Sequence, residues 1–293
     1  MAFEKVIFKA PPPAFSDISK SSNDLINKDF YHAAAAALEV KLKAPNGVNF
    51  TAKGTSSHDG PVSSSLEGKK ALSNGISITQ SWNTANLLNT KVELNDTFTS
   101  GLKTELISNF NPDKGNKGQK VNFHFKQANF HGRVFGDYSP SGAVSAIADA
   151  VLSHEGFVVG GEVGYDVQKA AITKYSAAVG YTAPTYNAAL TATNSLSVFA
   201  ASYYQTVNPA VEAGAKATYD AKSGSAVGLE LAAKYRIDTA SFAKAKINNL
   251  GIASLAYNTR VNSGLTFGIG GSFDTQKLNA AGHKLGTSFT FEG

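Results

Sequence analysis

From Tyr31 almost to the C-terminus, apolar and polar side chains alternate with a period of two. Ala36, Leu38, Val40 and Leu42 alternate with Glu39, Lys41 and Lys43. Val121, Phe123 and Phe125 alternate with Asn122, His124 and Lys126. Val227, Leu229, Leu231, Ala233 and Tyr235 alternate with Glu230, Lys234 and Arg236. This period puts each set on one face of a strand. The segments run to roughly ten residues, the length a tilted strand needs to cross a bilayer. Turn chemistry separates them, at Pro45-Asn46-Gly47, His58-Asp59-Gly60-Pro61, Ser73-Asn74-Gly75, Pro112-Asp113-Lys114-Gly115, Ser139-Pro140-Ser141-Gly142, Ala183-Pro184, Asn208-Pro209, Lys222-Ser223-Gly224 and Asn279-Ala280-Ala281-Gly282. The spacing predicts about 18 to 20 strands, and short turns make neighbours antiparallel. No second helical pattern interrupts them, which argues against βαβ units.

An open sheet of this size would expose two long edges, so closure is the physical solution. The pattern predicts an all-β fold, a transmembrane antiparallel β-barrel with lipid outside and water inside. Periodicity alone leaves open a soluble barrel or sandwich with its apolar face inward. Strand length, strand number and the lack of helices to cover the faces favour the membrane.

The N-terminus reads differently. Residues 1–13 form a tail ending in Pro11-Pro12-Pro13, expected to be extended. Residues 14–30 predict an amphipathic helix with Ser16 as N-cap and Asp17 at the positive end of the dipole. Phe15, Ile18, Leu25, Ile26 and Phe30 fall on or near one face; Asp17, Ser21, Asp24 and Lys28 lie elsewhere. About four turns cannot cross a bilayer, so the helix needs a partner surface, at the sheet edge or in the lumen. The barrel is then 31–293.

Composition changes this picture little. Hydrophobic residues make up 42% of the 293 and the mean hydropathy is −0.14, which looks soluble until half of every strand is given to water. No run approaches the ~18 apolar residues of a membrane helix. Val6-Ile7-Phe8 is too short for a secretory leader, so Asn49-Phe50-Thr51 and Asn95-Asp96-Thr97 read as chance sequons. There is no cysteine, which removes disulfides and thiolate metal sites. The net charge of +5 is spread along strands, with only Lys69-Lys70 adjacent, and this counts against a nucleic-acid patch.

Candidate chemistry is sparse. His124 and His131 share the polar parity of consecutive strands but lack a third metal ligand. Gly264, Gly268, Gly270 and Gly271 lie inside an alternating strand, where glycine relieves crowding rather than cradling phosphate. No hydrolase, Walker or zinc-protease motif occurs, so neither an enzyme nor a cofactor is expected. The polar faces carry more information. Glu39, Lys41, Lys43, Glu67, Lys69, Lys91, Glu93, Lys103, Glu105, His124, Lys126, Arg133, Glu212, Lys216, Glu230, Lys234, Arg236, Lys244 and Lys246 all alternate with apolar partners. Lining a lumen, they would carry both signs with positive charge in excess, and so favour anions weakly.

Phe15-Ser16-Asp17-Ile18, Asn23-Asp24-Leu25 and Asn27-Lys28-Asp29-Phe30-Tyr31 resemble the N-terminal helix of the mitochondrial outer-membrane porins, the voltage-dependent anion channels. The resemblance continues through Trp82-Asn83-Thr84, Gly101-Leu102-Lys103, His154-Glu155-Gly156 and Gly164-Tyr165-Asp166. It ends in a signature-like stretch with Tyr235, Asp238, Ser241, Ala245-Lys246-Ile247-Asn248-Asn249 and Ser254-Leu255. Thr239 departs from the small residue or proline expected there. Phe130-His131-Gly132-Arg133 and Val167-Gln168-Lys169-Ala170-Ala171-Ile172 look fungal.

The resemblance implies 19 strands with one parallel closing pair and the helix in the lumen. It implies a voltage-gated, weakly anion-selective pore for ATP, ADP, phosphate and other small ions in the mitochondrial outer membrane. It carries selectivity or gating roles onto Asp24, Lys28, Lys69, Lys103 and Lys246, and nucleotide contact onto Gly101, Leu102 and Lys103. Gln80 stands where animal members can carry a lipid-facing acid. Lys284, Gly286, Phe289 and Phe291 fit the family's sorting signal, which implies the general translocase and the sorting and assembly machinery as partners in biogenesis. Membrane lipids are the remaining partner, and a homo-oligomer is compatible with the resemblance. Competing readings are a scaffold for protein docking or lipid scrambling, and a protein-conducting translocase barrel.

Overall fold

The computed structural model describes residues 11–224, 226–279 and 282–293. Most of the expected tail, and Ala280 and Ala281 of the last expected turn, lie outside the described residues. The strands are β1 (Ala36–Lys43), β2 (Val48–Ser56), β3 (Val62–Ala71), β4 (Ile76–Asn83), β5 (Leu88–Asn95), β6 (Leu102–Asn111), β7 (Asn116–Gln127), β8 (Phe130–Tyr138), β9 (Val144–His154) and β10 (Phe157–Asp166). They continue as β11 (Ala171–Thr182), β12 (Tyr186–Thr193), β13 (Val198–Asn208), β14 (Val211–Asp220), β15 (Gly228–Arg236), β16 (Ser241–Asn248), β17 (Ile252–Asn262), β18 (Leu265–Asp274) and β19 (Lys284–Glu292).

Each strand pairs antiparallel with its sequence neighbours in one 19-stranded sheet. An up-and-down meander with an odd number of strands leaves the first and last pointing the same way. They can close only in parallel, and β1 and β19 do so with Leu38 opposite Phe289 and Val40 opposite Phe291. Closure removes both edges, so every strand has two partners.

Alternation decides the two faces. Leu66, Trp82, Leu106, Leu152, Leu190, Leu231 and Leu255 are exposed on the outside, as lipid requires of a barrel wall. The opposite parity carries the charged residues of the polar faces. No helix among the described residues is long and apolar enough to cross a membrane.

The expected 14–30 helix is interrupted. A 3₁₀ turn covers Phe15–Asp17, α1 covers Lys20–Asn27, and a second 3₁₀ turn covers Tyr31–Ala33. Ser16 is not the N-cap. It sits inside the first turn, and α1 starts after Ser19, whose hydroxyl accepts from the Asn23 side chain rather than capping a backbone amide. The amphipathic reading survives the break: Phe15, Ile18, Leu25, Ile26 and Phe30 are all buried. The first turn packs on β9 and β10, α1 on β13 to β15, and the second turn on β18 and β19. The segment thus runs along the inner wall, not the sheet edge.

Candidate functional site

A lumen wall that takes a helix must be made of small residues. Phe15 and Ile18 bury against Val151, Val158, Ala178 and Ala189, and Leu25 and Ile26 against Ala232. A Cβ at Gly214 would lie 2.9 Å from Leu25, and one at Gly180 would lie 3.1 Å from Ile18. Glycine is therefore what lets the segment lie flat.

Polar contacts moor the segment at both ends. The His131 ring meets the Pro12 carbonyl through Nδ1 at 3.1 Å, and Arg133 donates to the Ser16 hydroxyl at 3.3 Å. Arg133 is itself locked to Asp149 at 2.7 Å. Lys216 donates to the Asn23 side chain at 2.9 Å. Lys244, only 2% exposed, donates to the carbonyls of Lys28 at 2.7 Å and Asp24 at 3.3 Å. The Asp24 carbonyl already accepts from the Lys28 amide at 3.0 Å, so Lys244 is a second donor there, and a cation at the α1 C-terminus also complements the dipole. The Lys244 and Lys246 ammonium groups lie over the Phe30 ring, 4.9 and 4.7 Å from its centroid. Farther on, Tyr31 lies against Gly268 and its hydroxyl accepts from Asn258.

On the face of α1 turned to the lumen, Asp24 stands between Lys20 and Lys28, each 2.9 Å away. Burial alone would raise the Asp24 carboxyl, but the two ammonium donors outweigh it and hold it below the ordinary range. Burial, then the charges of Lys246, Lys284 and His58, hold the His32 imidazole below its ordinary value.

The other half of the wall is built on ion pairs. The register carries the lumen parity from Asp149 through Arg133, His124 and Lys103 into β5, where Glu93 faces Ser77 on one side and Glu105 on the other. Lys69 and Lys103 both reach Glu93, at 2.9 and 2.8 Å. Elsewhere Glu39 meets Lys53 at 3.0 Å, Glu162 meets Lys174 at 3.0 Å and Glu212 meets Arg236 at 3.0 Å. Alternation could show which charges share a face; only register could show which of them meet, and Glu93 as a hub was missed for that reason.

The expected site residues therefore separate into groups. Asp24 and Lys28 share the helix, Lys246 touches Phe30 at its end, and Lys69 and Lys103 sit together on the bare wall. Of Gly101-Leu102-Lys103, only Lys103 presents a side chain to the lumen. Gly101 holds a left-handed turn, with φ +83° and no room for a Cβ beside the Lys126 carbonyl, and Leu102 pairs with Phe125 on the outer face. Gln80 is exposed on the outside. Along β19, Phe289 and Phe291 face outward and Gly286 faces inward beneath Tyr31 and Ala34. His124 and His131 do face the same lumen, and no group of three metal-binding side chains occurs among the described residues.

Comparison with known proteins agrees with this geometry. The family model described as eukaryotic porin matches residues 11–286. The chain is 59% identical over 281 residues to the mitochondrial outer membrane protein porin of Neurospora crassa, covering 96% of this chain and 99% of that one. It is 47% identical to the protein of the same name in Candida albicans, with 96% and 99% covered. It is 39% identical to the non-selective voltage-gated ion channel 1 of Saccharomyces cerevisiae, again with 96% and 99% covered. Among solved structures, a Rhodopseudomonas blastica porin variant superposes with a TM-score of 0.52 at 10% identity, covering 78% of this chain and 90% of that one, a likeness of fold alone. Barrel, lumen charge and family model converge, and the chain belongs to the eukaryotic porin family.

Proposed function

We propose that the chain is a voltage-gated, weakly anion-selective diffusion pore for metabolites such as ATP, ADP and phosphate in the mitochondrial outer membrane. The observation that carries this reading is the closed 19-stranded wall, apolar outside and charged inside, with a short helical segment laid along it. Barrels of 16 to 18 strands already leave an aqueous channel. The names of the Neurospora and Candida relatives place them in that membrane, and the yeast relative is named a voltage-gated channel. The chain belongs to a family of channels, and the docking-scaffold and protein-conducting readings are not favoured by its relatives.

A lumen with both charge signs attracts anions without a tight site, which lets solutes leave. Asp24, Lys28, Lys69, Lys103 and Lys246 are proposed to set selectivity, with Lys103 as the one member of the nucleotide motif able to touch a permeating phosphate. Charge on a movable segment couples to voltage at about 2.3 kcal/mol per elementary charge per 100 mV. The β19 signal supports insertion by the sorting and assembly machinery after passage through the general translocase, and homo-oligomers are compatible with the outer face.

The test is conductance of refolded protein in a planar bilayer under a salt gradient. Large, weakly anion-selective steps that close at both polarities are expected. Absence of steps from inserted, β-structured protein would reject the pore.

A further inference from the structure

Glu93 is a lumen-facing carboxylate placed where a pore would not need one. Its side chain is 5% exposed and receives four donors from four adjacent strands. Lys69 and the Ser77 hydroxyl donate to Oε2, each at 2.9 Å. Lys91 and Lys103 donate to Oε1, at 3.1 and 2.8 Å. Lys103 also reaches Glu105 at 2.7 Å. The three lysines remain partly open to the lumen, with side chains 44%, 30% and 37% exposed. Among the described residues, the N-terminal segment packs on β9, β10, β13 to β15, β18 and β19 and not on β3 to β6.

Three ammonium groups and a hydroxyl converging on one point form a site for an oxyanion. Charge-assisted bonds from several donors are the strong ones, and a phosphate group would seat its oxygens where the Glu93 oxygens lie. In a diffusion pore such a site would be a trap, because conduction requires binding weak enough to release. A simple staple between strands would need one or two of these contacts. The observed convergence instead fills the whole site with a carboxylate that cannot leave.

We propose that Glu93 is a tethered counter-ion and a specificity-determining residue of the pore. Its carboxylate occupies the oxyanion site formed by Lys69, Lys91, Lys103 and Ser77. Three lysines against Glu93 and Glu105 leave the patch one positive charge in excess, enough to attract anions but not to hold them. The proposal rests on the pore reading and adds to it which residue keeps polyvalent anions moving.

Glu93→Gln tests it in planar bilayers, beside the natural protein. The expected result is a raised chloride-over-potassium permeability ratio. Block of the chloride current by inorganic phosphate is expected at concentrations about tenfold lower than for the natural pore, as an added local charge implies. Glu93→Gln/Lys91→Gln restores the net charge and is expected to return both quantities toward natural values. If refolded Glu93→Gln conducts with an unchanged ratio and unchanged phosphate sensitivity, the carboxylate is only a structural staple and the proposal is wrong. Should Glu93→Gln not refold, Glu93→Asp replaces it. One methylene shorter, it cannot reach all four donors; raised phosphate block supports the proposal and natural sensitivity overturns it. A natural protein that forms no pore would overturn the pore reading, and this one with it, before any variant is compared.

Discussion

A Cβ at Gly286 would collide with the carbonyl oxygens of both Tyr31 and Ala34. Backbone atoms cannot swing aside, so any side chain there must push the second 3₁₀ turn off the wall. Gly286 is also the glycine of the sorting pattern, and the two constraints can be separated without any cellular machinery. Gly286→Ala is expected to destabilise the protein refolded in detergent by about 1–3 kcal/mol, the range for overpacking. Phe289→Leu, on the lipid side, is expected to cost less; a thermal melt followed by circular dichroism makes the comparison, and equal melting of Gly286→Ala and natural protein would leave the glycine to sorting alone. Selectivity belongs to this scale as well. Lys28→Glu removes an exposed cation from the lumen and sets a second carboxylate near Asp24. A lowered anion preference is expected, read as a reversal potential in a salt gradient, and an unchanged potential would dismiss Lys28 as a selectivity residue. The sequence made Asp24, Lys28 and the wall lysines visible as charges on a polar face. It could not make Glu93 visible as their centre, because Lys69 and Glu93 lie on strands whose register no local pattern encodes.

At the scale of elements, the N-terminal segment depends on its moorings more than on its own helicity. Eight residues of α1 are too few to be stable alone. Burial of the apolar face and the Lys244 bonds to two terminal carbonyls hold it in place. Lys244→Met keeps the side chain's bulk but removes the donor to the Lys28 carbonyl, while the Asp24 carbonyl keeps the Lys28 amide, at a cost of about 1–3 kcal/mol. Faster amide hydrogen exchange across 20–34 is expected by mass spectrometry, and natural exchange rates in that variant would assign the mooring to packing alone. Tyr31 adds a pH dependence. Burial first, then the Asp29 charge, push its phenol up to about 12, against a lowering by the Asn258 hydrogen bond. The folded state thus favours the neutral phenol. Its stabilisation is complete below the unfolded value near 10 and is lost as pH rises from about 10 to 12. Docking of the segment is expected to loosen over that window, and Tyr31→Phe to lose that part of the pH dependence while keeping the rest.

The amphipathic face of this segment was readable from residue spacing; its interruption was not, since the expected cap Ser16 sits inside the first turn beside Arg133 and α1 begins only after Ser19. Turns behaved in the same way. Those punctuated by Pro and Gly were legible, whereas the Asn194-Ser195-Leu196 turn holds three consecutive left-handed residues without a glycine.

For the whole molecule, strand period and strand length carried the reading, because a barrel wall imposes the same alternation on every segment. Closure was a physical inference from unpaired edges. The number 19 came from family resemblance, and an odd count has its structural consequence in the parallel β1–β19 seam. The same architecture limits how the pore can select. Among the described residues many lumen acids already hold a base, so the proposed preference for anions rests on a modest, distributed positive excess. A distributed field acts over distance and is screened by salt, with a Debye length of about 10 Å at 0.1 M and about 3 Å at 1 M. Contact selectivity at a tight site would instead persist. The chloride-over-potassium permeability ratio is therefore expected to fall toward one as salt is raised from about 0.1 to 1 M at a constant gradient. A ratio that holds steady across that range would mean that ions are chosen by close contact, and the selectivity would then have to be sought at a constriction beside the helix, where Lys28 and Asp24 face the lumen, rather than in the wall as a whole.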